Sequence, residues 1–242
     1  LSRHASLAPT FAAFAVLVVA DFLGVPADDR IEFRKHLIRV EQESGGAVVG
    51  GTDGEVSHGP LEWLYGKFSA YVEDRRANPK ADILTGLAQA TFAGGGIPEP
   101  IDVARIAANV FAAGQETTVR LLSYAFQTIA ERPDIQQRLR EDRSLIPNFV
   151  EECLRIEGPV KGDFRLAKMP TTLGGVHIPA GTFLYISNSG ANRDARKFEN
   201  PGEFQLDRKN ARLHVAFGAG RHACPGAFHR FDLRSSVALA TG

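Results

Sequence analysis

Cysteine is scarce: Cys153 and Cys224 are the only two in 242 residues. Two thiols give no disulfide framework of the kind that staples small secreted domains, so a reducing, cytoplasmic setting is expected. Excess charge of either sign is also missing, because 28 Lys+Arg balance 28 Asp+Glu. That balance argues against nucleic acid or an anionic membrane as a partner, and any basic patch must be local. Long apolar runs are lacking too. The longest, Phe11 to Ala20, falls short of the roughly 20 residues that a spanning helix needs. With Arg3 ahead of it, the run faintly mimics a secretory signal, but Asp21-Phe22-Leu23-Gly24-Val25-Pro26 reads as the end of a helix and its stop. The chain starts at Leu1 rather than Met, which suggests missing upstream sequence. Repeats and low-complexity tracts do not occur.

What is present is mostly helical. Leu7 to Leu23 reads as a buried apolar helix, and Asp28-Asp29 open an amphipathic one that carries Phe33, Leu37 and Val40 toward a core. Ser44 to Gly59 lacks periodicity and reads as a loop. Leu61 to Arg76 predicts a helix presenting Leu64, Phe68, Tyr71 and Val72, and Ala81 to Ala90 a shorter one. The longest helical pattern spans 101–131, with Pro133 marking its end. Pro147 to Ile156 is a short helix stopped by Gly158-Pro159. Strand patterns follow at Phe164 to Lys168, Val176 to Ile178 and Thr182 to Ile186, and an irregular charged stretch runs to residue 212. The fold class is mainly α with a small β part.

Three clusters carry chemistry. Near the end stands Phe217-Gly218-Ala219-Gly220-Arg221-His222-Ala223-Cys224-Pro225-Gly226, in which glycines and a proline crowd one cysteine ahead of an apolar segment. Glycines let backbone and a flat, bulky group come close to the sulfur, and a thiolate is a metal ligand. A zinc set of His214, His222, Cys224 and His229 matches no structural-site spacing. In the long helix, Ala113-Gly114-Gln115-Glu116-Thr117 places a glycine mid-helix, at about 1 kcal/mol against Ala. Either a neighbouring helix packs closely there, or a ligand does, with Glu116 and Thr117 supplying an acid and an alcohol. A Thr hydroxyl can also bond the i−4 carbonyl and bend the helix. Glu152-Cys153-Leu154-Arg155 sets an acid and a base three apart on one helix face. Apolar Phe149, Val150 and Leu154 imply that this helix is buried, so its charges need partners, while Cys153 reads as a small hydrophobe.

The cysteine stretch resembles the haem-binding loop of the cytochrome P450 family, Phe-x-x-Gly-x-His/Arg-x-Cys-x-Gly: Phe217, Gly220, His222, Cys224 and Gly226 fill every fixed position. The other two clusters occur upstream in the order the family shows. The resemblance runs from the region of helices E and F to the start of helix L and implies an incomplete P450 fold. It lacks the family's N-terminal portion and C-terminal strands. One partial domain over 1–242 is implied. Within it residues 1–158 are helical, 159–189 form the small β segment, 190–216 the meander, and 217–242 the cysteine loop with the start of the last helix. The loop 44–59 falls where the family has a mobile lid.

The resemblance further implies haem b, non-covalently held because no Cys-x-x-Cys-His is present, with Cys224 as the iron ligand. Phe217, Gly218 and Gly226 would shape the cofactor loop, His222 and Arg165 would meet its propionates, and Ala113 and Gly114 would make room. Glu116 and Thr117 would handle oxygen and protons. Glu152 and Arg155 would be structural, tying the core to the meander. Where many members carry Pro-x-Arg-Phe, this chain has Pro201-Gly202-Glu203-Phe204, so the pair needs another arginine, with Arg208 and Arg193 as candidates. In Phe228-His229-Arg230 the arginine comes one residue early, which leaves the register of the last helix open.

The implied activity is a haem-thiolate monooxygenase acting on a small apolar organic substrate with electrons from a ferredoxin-type donor. Arg208, Lys209, Arg212, Arg221 and Arg230 are candidates for a basic docking face. Alternatives are a peroxide-driven peroxygenase and a non-catalytic haem-binding fragment.

Overall fold

The computed structural model describes residues 8–44 and 59–229. The expected lid lies almost wholly outside the described residues, as do the last helix and Arg230. The chain divides into two compact units, 1–119 and 120–242.

In the first unit, α1 (Ala8–Leu23) is followed by a 3-10 turn at Ala27–Asp29, α2 (Arg30–Ser44), α3 (Gly59–Ala77), α4 (Ile83–Ala88) and the leading stretch of α5 (Pro100–Glu131). That stretch of α5 turns Ala104, Ala107, Ala108 and Phe111 inward, all fully buried. This i, i+3, i+4, i+7 spacing is one face of a helix. Its small residues let neighbours approach: a Cβ on Gly114 would stand 2.8 Å from Val19 Cγ2 of α1. Phe33 sits at the centre of the unit, with ring centroids 5.0 Å from Trp63, 5.7 Å from Phe68 and 5.0 Å from Phe111. The buried Arg75 of α3 bonds Asp82 Oδ2 at 2.7 Å and the Gly24 carbonyl at 2.9 Å, while Asp82 Oδ1 caps α4 by accepting from the Thr85 N–H at 2.8 Å.

The second unit packs Leu121, Ala125 and Ile129 of α5 with α6 (Pro133–Glu141) and α7 (Ile146–Glu157). Helix α6 is absent from the sequence reading, which takes Pro133 only as a stop. The same proline is the first residue of a new helix, with Asp134 in its first turn and buried Ile135 and Leu139 four apart. After α7 come two antiparallel pairs. β1 (Gly162–Leu166) joins β4 (Phe183–Ser187) in register Gly162↔Ser187, and β2 (Thr171–Leu173) joins β3 (Val176–Ile178) through Gly174 and Gly175, both at positive φ. Strand β2 is also missing from the sequence reading, being three residues of little apolar character. A short α8 (Asn188–Ala191) leads into the irregular segment.

Among the described residues, no helix is long and apolar enough to cross a membrane.

Candidate functional site

Helix α7 is where the sequence buries charge. Every residue from Phe149 to Ile156 is buried, and Glu152 and Arg155 are fully so. Arg155 grips Glu152 with two parallel bonds, Nε to Oε2 at 2.7 Å and Nη2 to Oε1 at 2.8 Å. Such a fork is the strongest geometry for the pair, yet burial still demands that the remaining donors be met. They are met by the irregular segment: Arg155 donates to the carbonyls of Asn192 (2.9 Å), Pro201 (2.8 Å) and Glu203 (3.0 Å). The Phe198 ring lies 5.1 Å from its guanidinium carbon.

The missing arginine is Arg208. Its Nε donates to Glu152 Oε1 at 2.9 Å, and its other nitrogens donate to the carbonyls of Glu199 (2.7 Å) and Glu203 (3.1 Å). Arg193 reaches Glu157 instead, at 3.8 Å. Only 5% exposed, Arg208 cannot belong to a basic docking face, and that candidate set loses it.

Glu151 faces elsewhere. Its Oε2 lies 3.2 Å from His214 Nε2, and His214 Nδ1 accepts from the Ala216 N–H at 3.1 Å. Sequence reasoning gives Glu151 no role and places His214 only in the rejected zinc set. Nothing local links the two, since 63 residues separate them.

From this anchor the chain enters the cysteine loop. The Val215 N–H donates to Asn192 Oδ1 at 2.7 Å, and Phe217 packs against the core around Phe149 and Cys153. The Cys224 N–H donates back to the Phe217 carbonyl at 2.8 Å, closing the loop, with Gly218 at φ +68° and Gly220 at φ +75°. Those two backbone conformations favour glycine. Phe217, Gly218, His222 and Cys224 are thus brought onto one closed turn, with the Cys224 thiol exposed and Gly226 two residues beyond it. A Cβ at residue 226 would touch Sγ, at 3.5 Å. Residues Pro225–His229 continue as 3-10 helix. Cys153, by contrast, is fully buried, and that burial, with Glu152 beside it, pushes its thiol well above the usual range.

Arg165 stands in the middle of β1, exposed, with Nη1 donating to the Phe164 carbonyl at 2.9 Å. Glu116 and Thr117 lie on α5 in the first unit, Glu116 exposed and Thr117 half-buried. The Thr117 hydroxyl donates to the Ala113 carbonyl at 2.8 Å, the i−4 bond its sequence position suggests. At Gly114 the structure supports the close-packing reading, through Val19.

The donor chemistry of the loop can be weighed on these observations. A bare metal ion takes three or four protein ligands, and among the described residues no group of three or more His, Cys, Asp or Glu could hold one. A single exposed sulfur on a glycine-lined turn suits a group that brings its own equatorial ligands and a flat face. The residues therefore fit a porphyrin iron.

A mainly helical fold, a fully buried carboxylate–guanidinium pair on α7 and a thiol on a closed glycine loop thus stand together in this chain. The chain belongs to the cytochrome P450 family, whose model matches residues 71–228. Among curated relatives, cytochrome P450 144 of Mycobacterium tuberculosis is 37% identical over 213 residues, covering 88% of this chain and 48% of that protein. Among solved structures, substrate-free CYP150A6 of Mycobacterium marinum is 50% identical with a TM-score of 0.84, over 97% of this chain and 54% of that one. CYP109E1 of Bacillus megaterium, solved in complex with testosterone, is 31% identical with a TM-score of 0.77, over 93% and 59%. The chain spans about half the length of the curated relatives it matches.

Proposed function

We propose that this chain is the haem-thiolate portion of a monooxygenase. The reaction places one atom of dioxygen in an apolar organic substrate and reduces the other to water, consuming two electrons from a partner protein and two protons. The observation that carries this reading is the exposed Cys224 thiol on a loop closed by the Phe217–Cys224 backbone bond. Haem b, when bound, supplies the oxygen activation, favoured by a thiolate ligand that pushes electron density toward O–O cleavage.

The chain's own residues have separable tasks in this reading. Cys224 holds the iron, Phe217 shields the sulfur from the core side, and Gly218 and Gly226 keep the face of the loop free of side chains. His222 and Arg165 are the candidate cations for the propionates. On α5, Ala113 keeps side-chain bulk off the helix, and Glu116 and Thr117 are the acid and alcohol that move protons. The Thr117 hydroxyl keeps acceptor capacity while its proton is engaged with the Ala113 carbonyl. Testosterone in CYP109E1 supports a substrate of apolar, steroid-like class. An acidic ferredoxin-type donor would be met by exposed cations, of which Lys209, Arg212 and Arg221 remain. The scarcity of cysteine supports a cytoplasmic setting.

The test is reconstitution of the chain with haem, followed by the absorption spectrum of the reduced carbonyl complex. The thiolate signature is expected and should vanish in Cys224→Ala. Haem uptake with the same spectrum in both proteins would defeat the reading. Spectral shifts on adding steroids, fatty acids or terpenes then narrow the substrate.

A further inference from the structure

Glu151 and Glu152 are adjacent on α7, yet each is committed to a different region of the chain. Glu152 holds Arg155 and Arg208, while Glu151, 2% exposed, faces His214, whose side chain is 4% exposed. A buried carboxylate needs donors, and His214 brings a ring nitrogen to this one. The Ala216 backbone N–H can only donate, so Nδ1, which accepts from it at 3.1 Å, carries no hydrogen. The ring hydrogen therefore stands on Nε2 and is donated to Glu151 Oε2 at 3.2 Å. The carboxylate selects the tautomer that leaves Nδ1 free to receive the loop. Arg212 Nε approaches the other Glu151 oxygen at 4.0 Å, from the same stretch of chain as His214.

Beyond Ala216 the backbone is held at successive points. Val215 donates to Asn192 Oδ1, Gly218 donates to the Val215 carbonyl at 2.9 Å, and the Phe217 carbonyl receives the Cys224 N–H at 2.8 Å. The His214 ring also lies 5.9 Å from the Phe217 ring, centroid to centroid. The Ala216 amide thus stands one residue before the carbonyl that receives the Cys224 N–H.

We propose that the Glu151–His214 pair is a positioning device for the cysteine loop, in which the carboxylate fixes the imidazole so that its Nδ1 holds the Ala216 amide and thereby sets Cys224. It rests on the haem-thiolate reading only for what Cys224 then does.

The experiment follows single amides of the full chain by hydrogen exchange, with the Leu154 amide in α7 as internal reference. His214→Ala removes both contacts. His214→Asn keeps an acceptor near the place of Nδ1, and His214→Gln keeps a donor near the place of Nε2. His214→Ala should speed exchange at Ala216 and Cys224 by roughly five- to tenfold relative to Leu154, the worth of one hydrogen bond, and change the alkylation rate of the Cys224 thiol. His214→Asn, which keeps the acceptor but not the carboxylate's hold on the side chain, should restore protection at both amides only in part, and His214→Gln should not restore it. If His214→Ala fails to fold, the Asn and Gln variants carry the comparison. Equal exchange at Cys224 in the Asn and Gln variants, or a rise spread evenly over Leu154 as well, overturns the proposal. These readouts need no haem. A wild-type chain without a thiolate carbonyl spectrum would defeat the proposed function and leave this inference standing.

Discussion

Arg208 Nε lies 2.9 Å from Glu152 Oε1, across 56 residues of sequence and with both side chains essentially out of water. This contact joins the irregular segment to α7 and completes a network of one carboxylate and two guanidiniums, whose spare donors end on backbone carbonyls. Replacing Arg208 by Ala would leave the Glu199 carbonyl without its guanidinium donor and Glu152 without its second guanidinium, while the Glu203 carbonyl keeps Arg155. A loss of about 3–5 kcal/mol is expected, enough to prevent folding in a marginally stable chain. Arg208→Lys keeps the charge but loses the fork, and should cost about 2 kcal/mol in denaturant unfolding.

Asp82 gives the first unit a pH dependence. Burial pushes its carboxyl up, but the Thr85 and Arg75 hydrogen bonds outweigh burial and hold it below the usual range. A carboxyl depressed in the folded state contributes stability that is present above its unfolded value, about 3.9. That contribution is lost as pH falls through the lower folded value. Urea midpoints should therefore fall on acidification below about pH 4, and Asp82→Asn should be less stable at neutral pH with a shallower acid slope.

Gly114→Ala sets helix propensity against packing. Propensity favours Ala by about 1 kcal/mol, whereas the new Cβ would meet Val19 Cγ2 at 2.8 Å. Overpacking of this kind costs roughly 1–3 kcal/mol, so a net loss near 1 kcal/mol is expected. Val19→Ala should offset it in the double variant, measured by a thermodynamic cycle.

The two thiols should differ sharply in reactivity. Cys224 is exposed, whereas burial and then Glu152 raise the Cys153 thiol well above its ordinary range. Iodoacetamide at neutral pH should modify Cys224 in the native chain and reach Cys153 only on unfolding, as read by peptide mass mapping. Early labelling of Cys153 would mean that α7 opens locally.

Much of the helical architecture was legible because each helix carries its own period. Leu64, Phe68, Tyr71 and Val72 are buried as that period predicts. Pro133 misled because one residue both ends α5 and starts α6, and the Ile135–Leu139 spacing was the signal that could have corrected it. β2 escaped because Thr171-Thr172-Leu173 is too short to show alternation.

By itself the sequence determined the cysteine loop, the Glu152–Arg155 pair and the Thr117 bond to Ala113, since each depends on residues a few positions apart and on the conformations glycine or a helix permits. The tertiary structure alone decided that Arg208 rather than Arg193 completes the network, that Val19 occupies the space beside Gly114, and that Glu151 meets His214. Those partners are distant in the chain. Local periodicity records which groups must be buried and satisfied, but the choice among distant donors is made only when packing brings one of them within hydrogen-bond reach.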